Sequence, residues 1–147
     1  MTGVTTAFAS YDVLMSTDPH WFSTMFGVYY FAGGFLGLFC LLVVVAASLQ
    51  RGGMLRVVNA EHYHDLGKFT FGMTVFWAYI AFSQYMLIWY AGIPEETVWY
   101  KYRMQYGWGY HSAALLLGHF IIPFMLMLPR FVKRSKPILA FWAVWLL

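Results

Sequence analysis

The chain has 147 residues, of which 61% are hydrophobic, 22% aromatic and 10% charged, with a mean hydropathy of +0.61 and a formal net charge of +3. That balance excludes an ordinary soluble domain and points to a membrane protein. Nine Lys and Arg stand against six Asp and Glu; most of the basic residues sit between apolar runs, so no basic face remains for DNA or RNA.

Residues Met1 to Thr17 are mixed and rich in Thr and Ser, with no basic leader and no small-residue cleavage site, so a signal peptide is not expected. Asp18, Pro19, His20 and Trp21 read as a turn and an interfacial helix start. From Asp18 to Arg51 no charge intervenes, and 26–49 forms the first predicted span. Gly33 and Gly37 stand at GxxxG spacing with Gly34 beside them, a pattern that lets a second helix approach closely. The lone Cys40 lies mid-span, cannot make an internal disulfide and reads as packing.

Gln50 to Lys68 is the first predicted loop and the densest polar cluster, with Arg51, Arg56, Glu61, His62, His64, Asp65 and Lys68. His62 and Asp65 would stand i, i+3 if the next helix began early, a spacing a metal could use. No thiolate, second carboxylate or HExxH pattern adds to it. The second span, 69–91, is free of Asp, Glu, Lys and Arg but carries Thr70, Thr74, Ser83 and Gln84. At about 100° per residue Thr70, Thr74, Trp77, Ala81 and Gln84 share one stripe, which should face protein rather than lipid. Gln84 then needs a partner on a neighbouring helix or a trapped water. The stripe reads either as helix-helix glue or as a water-lined path.

Gly92 and Pro94 stop that span, and Pro94 to Tyr110 forms an outer loop in which Trp99, Tyr100, Tyr102, Tyr106, Trp108 and Tyr110 crowd one interface. The aromatic excess reads as a partner surface, on a loop that also carries Glu95 and Glu96. A third span, 106–128, contains His111, Ser112 and His119. Pro123 lacks an amide hydrogen, which in a regular α-helix frees the His119 carbonyl and predicts a kink or a bound water. A histidine there suits proton handling or an ordinary interhelical hydrogen bond. His111 and His119 lie at different depths and point apart, so they are poor haem ligands as a pair. After Lys136, PILAFWAVWLL opens a fourth helix over 138–147 that is too short to span, which leads us to expect a fragment of a longer chain. Lys and Arg number seven in the first and third loops and two in the second, which predicts the first and third loops inside and the Glu95 loop outside.

No nucleophile triad, Walker sequence or dinucleotide fingerprint is present, so catalysis by this chain alone is not expected. A proton path is the chemistry the polar residues outline. Asp65, His62 and Lys68 would form its mouth, Thr70, Thr74 and Gln84 would line the second span, and His119 would stand in the third.

The run WAYIAFSQYMLIWYAGIPEET, with DPHWFSTMFGVYYFAG before the first span, HDLGK at Asp65 and Lys68, HFIIPF, and RFVKR after the third, resembles the ActF-type integral membrane subunit of alternative complex III. This family belongs to a bacterial quinol oxidoreductase. The family pattern has Asn where this chain has Gly92, and its members are much longer. The resemblance implies an all-α polytopic bundle related to the polysulfide reductase membrane subunits, with three full spans and the start of a fourth here, in the bacterial inner membrane. It implies no haem or iron-sulfur cluster on this chain, with quinol bound at the level of the complex; the residues themselves lead us to expect no metal. It also implies partners in lipid and in multihaem cytochrome and iron-sulfur subunits, and a role in scaffolding and proton movement. Two rival readings are a transporter or channel segment with a polar intramembrane site, and a structural anchor whose outer residues Glu95, Glu96, Trp99 and Tyr100 dock a periplasmic cofactor-bearing protein.

Overall fold

The computed structural model describes residues 1–55, 57–105 and 107–147. Arg56 of the first predicted loop, and Tyr106 at the start of the third predicted span, lie outside the described residues. Among the described residues every regular element is helical, in the order α1 (Thr2–Val13), a 3-10 turn (Met15–Thr17), α2 (Met25–Arg51), α3 (Ala60–Ala91), α4 (Pro94–Met104) and α5 (Trp108–Leu115). A π-helical segment (Leu116–Ile121), α6 (Ile122–Met127), α7 (Arg130–Arg134) and α8 (Lys136–Leu146) follow. Three stretches are long and apolar enough to cross a membrane, Met25–Arg51, Ala60–Ala91 and Trp108–Met127. They coincide with the predicted spans to within a few residues, except that α3 begins nine residues early.

That early start corrects the first loop. Asn59 Oδ1 accepts the backbone N–H groups of Glu61 (3.0 Å) and His62 (3.2 Å), capping α3 before its apolar stretch begins. Glu61, His62, His64, Asp65 and Lys68 are therefore helical residues. The N-terminal segment and the outer loop are corrected in the same direction. In α1 the hydroxyls of Thr5, Thr6 and Ser10 donate to the carbonyls of Met1, Thr2 and Ala7, which satisfies inside a helix residues that otherwise compete with it. The outer loop is the helix α4, opened by Pro94, with Glu95 and Glu96 in its first turn and Lys101 and Arg103 in its last, charges that complement the helix dipole. Gly92, at φ +63°, turns the chain between α3 and α4.

The chain groups into two compact units. The first comprises Met1–Gly34 and Phe76–Leu116. In it α1 packs on the start of α2, where the Tyr11 hydroxyl donates to the Thr24 carbonyl at 2.6 Å. Gly27 admits this contact, since a Cβ there would stand 2.9 Å from the Ala7 Cβ. Trp21 stacks on Trp99 with ring centroids 4.1 Å apart, and the Arg103 guanidinium lies 3.9 Å over the centroid of the Trp99 ring. Gly33 faces Trp77 at ordinary contact distance, whereas Gly34 and Gly37 face open space, so the GxxxG spacing does not bring two backbones together here.

The second unit comprises Phe35–Val75 and Leu117–Leu147. Its core joins Leu36, Cys40 and Val43 of α2, Tyr63 of α3, Met127, Val132, and Leu139, Trp142 and Ala143 of α8. Lys133 is 8% exposed, and its ammonium donates to the carbonyls of Met127 (2.8 Å) and Leu128 (2.9 Å), closing the C-terminal end of α6. Gly67 makes room for it, because a Cβ at that position would come 3.0 Å from the Lys133 Cβ and 3.2 Å from Leu139.

The π-helical segment sharpens the expectation at Pro123. In an i to i+5 register a nitrogen at residue 123 would serve the carbonyl of Gly118, not that of His119. Proline carries no hydrogen there, and the Trp145 indole N–H donates to the Gly118 oxygen at 2.8 Å instead. A tryptophan from α8 thus takes the place expected for a water.

Candidate functional site

The sequence-predicted residues separate along α3. Thr70 is 0% and Thr74 1% exposed, and their hydroxyls donate to the carbonyls of Leu66 (3.0 Å) and Thr70 (2.9 Å). Trp77 and Gln84 are buried as well, so the polar stripe faces protein as its spacing predicts. Asp65 and Lys68 pair with each other at 2.8 Å, and both are more than half exposed. They fall about 140° and 160° around the helix from Thr70. The expected mouth and the threonine ladder therefore occupy different faces of one helix. His62 is exposed, with its Nδ1 2.8 Å from Asn59 Oδ1. His64 holds a buried Nδ1 without a partner. His119 is half-buried within the π-helical segment, and His111 is exposed with its ring against Trp108. Among the described residues no three His, Cys, Asp or Glu side chains come close enough to hold a metal.

The polar stripe leads instead to a cavity in the first unit. It has a volume of about 390 Å³, and its walls include Tyr29, Gln84, Tyr85, Tyr100, Arg103 and Ser112. The Gln84 amide makes no hydrogen bond to a described residue and opens onto this space. A second cavity of about 560 Å³ shares Trp99, Arg103, Ser112 and Leu115 with the first and adds Asp18, Tyr102, Trp108 and His111. Arg103 stands in the wall of both without an ion-pair partner among the described residues. Burial lowers its pKa against the raising influence of Tyr100 and Tyr29. Burial also pushes the Tyr100 phenol up to about 12, with Arg103 pulling the other way. The cavity thus offers a cation without an ion-pair partner among the described residues, phenolic hydroxyls and a primary amide within an aromatic wall, while the Ser112 hydroxyl already donates to the Trp108 carbonyl at 3.1 Å; this set can bind and orient polar or anionic groups and order water.

Trp99 and Tyr100, read as outward partner contacts, are half-buried and help form this wall; Glu95 is exposed and Glu96 half-buried. Sequence reasoning missed Arg103 and Tyr29. The signal was present in the Trp99 and Arg103 spacing of four, which juxtaposes an aromatic ring and a guanidinium once Pro94 is read as a helix start.

No family model matches the chain, and no curated protein matches it significantly.

Proposed function

We propose that the chain is an integral membrane subunit of a quinol-oxidising respiratory complex of the alternative complex III type, in the bacterial inner membrane, built on a bundle like that of the polysulfide reductase membrane subunits. It serves as scaffold for haem-bearing and iron-sulfur partners, carries no redox cofactor of its own, and handles protons at a polar chamber. The observation that carries the reading is the run Trp77 to Thr97, which resembles that family and whose Gln84 opens onto the polar cavity of the first unit. Three apolar helices of spanning length support membrane integration. We assign the proton-handling part to Gln84 and its surroundings. A volume of about 390 Å³ has room for several waters at roughly 30 Å³ each, whereas Thr70 and Thr74 already commit their hydroxyl hydrogens to their own helix.

The test is isolation of the tagged chain from its native membrane in mild detergent. The expected result is co-purification of haem absorbance and quinol-oxidising activity, with Gln84→Leu leaving assembly intact and slowing proton uptake. A chain that emerges without haem-bearing partners sinks the complex assignment. Unchanged proton uptake in Gln84→Leu removes the chamber alone.

A transporter segment is the second reading, and the π-helical segment in the third span is what favours it, since transport sites use broken helices. Here the helix resumes at Ile122 and the opened Gly118 carbonyl is occupied by Trp145, so the break offers a solute no free backbone oxygen at that residue.

A further inference from the structure

The second unit holds seven Lys and Arg against two carboxylates, and both carboxylates are engaged, Glu61 with Arg134 and Asp65 with Lys68. Arg51, in the last turn of α2, and Lys136, at the first residue of α8, therefore have no carboxylate partner among the described residues. Together they line one pocket of about 280 Å³ with Gln50, Tyr63 and Pro137. The side-chain amide of Gln50 is already spent, its Nε2 donating to the Val58 carbonyl at 2.7 Å and its Oε1 accepting from the Tyr63 hydroxyl at 3.1 Å. Lys136 rests over the Tyr63 ring, 5.5 Å from its centroid. α8 begins at this pocket with no side-chain cap, so the positive end of its dipole adds to the two cations.

A groove of about 290 Å³ continues from the pocket. It shares Arg51, Ala47 and Pro137 with it and is walled beyond them by Val44, Ala140, Phe141 and Val144. A small anion would use the cationic end and leave this apolar length unused. A molecule with a phosphate and a hydrocarbon chain matches both ends, and such molecules surround any helix of α2's length and composition.

We infer that Arg51 and Lys136 form a binding site for the phosphate of an anionic phospholipid, one of whose acyl chains lies along the groove between α2 and α8. This site is independent of the Gln84 cavity and needs only that the chain reside in a membrane. Phosphatidylglycerol supplies the net negative charge, whereas the choline of phosphatidylcholine meets Arg51 and Lys136 with a like charge.

The test is native mass spectrometry of the full chain in a neutral detergent, titrated with phosphatidylglycerol, with phosphatidylcholine of the same acyl chains, and with inorganic phosphate. The expected result is retention of phosphatidylglycerol at least tenfold over phosphatidylcholine. That preference should fall about tenfold in Arg51→Gln/Lys136→Gln and stay unchanged in Lys101→Gln, a cation of the other unit. Ala140→Leu narrows the groove without touching charge and should weaken phosphatidylglycerol while leaving any phosphate adduct as it was. It also serves if the double variant loses its helical circular dichroism. Equal retention of the two lipids, full retention of phosphatidylglycerol by the folded double variant, or displacement of phosphatidylglycerol by millimolar phosphate would each overturn the inference.

Discussion

Lys133→Met tests the cap at the end of α6, because methionine keeps an unbranched stem against Gly67 and removes the ammonium, with its donors and its contact 4.9 Å over the centroid of the Phe71 ring. Two charge-assisted bonds are lost, to Met127 at 2.8 Å and Leu128 at 2.9 Å. Their consequences differ. Met127 is fully buried, so its carbonyl is left unpaired at about 1–3 kcal/mol, whereas Leu128 is 49% exposed and its carbonyl can turn to another donor at little cost. Release of the buried ammonium to bulk solvent in the unfolded state favours unfolding of the wild type and offsets part of the loss. About 2 kcal/mol of destabilisation remains, near a thirtyfold change in the folding equilibrium. Reversible unfolding in mixed micelles, followed by tryptophan fluorescence, measures it. Gly67→Ala should cost about 1–3 kcal/mol by overpacking the same stem, and the two changes should be non-additive because they share one contact. A Lys133→Met protein within about 0.5 kcal/mol of wild type, well inside what one buried unpaired carbonyl costs, would refute the capping account.

Trp145→Phe keeps an aromatic ring, smaller than the indole, and deletes the donor to Gly118, so amide exchange through Leu116–Ile121 should quicken; unchanged exchange there would mean the indole is not what holds the π-helical register. Tyr100, held protonated to about 12 when folded against about 10 when unfolded, makes the unfolded chain the one with fewer bound protons above pH 10. Wild-type stability should therefore hold below pH 10 and decline as pH rises from there toward 12. Tyr100→Phe should decline less over that window, and parallel curves would contradict burial of the phenol.

How much was legible follows from where each signal lies in the chain. The three apolar stretches and the inward stripe of Thr70, Thr74, Trp77 and Gln84 are written in local periodicity, and the fold keeps them. α1 and α4 are weakly marked in the sequence, because Thr, Ser and aromatic residues are indifferent helix formers. What holds these helices is distant in sequence: Tyr11 on Thr24 for the first, Trp21 on Trp99 for the second. α4 did carry a local sign in its Pro94 start and its graded charges, which the weight of aromatic residues obscured. Lys133 counted in the sequence only as one more basic residue, although burial turns it into a structural donor. The Gln84 cavity could not have been assembled from spacing alone, since Tyr29, Arg103 and Ser112 reach it from three separate helices.

The loop charges carry the proposal that this chain threads the bilayer with its basic segments inside and its α4 acidic turn outside. It is tested most directly by single-cysteine labelling in a Cys40→Ala background, with Glu95→Cys and Arg130→Cys introduced one at a time at exposed positions. A membrane-impermeant maleimide applied to spheroplasts should label the Glu95→Cys protein at once and the Arg130→Cys protein only after lysis. Labelling of both from the same side, or extraction of the chain from membranes by alkaline carbonate, would contradict it.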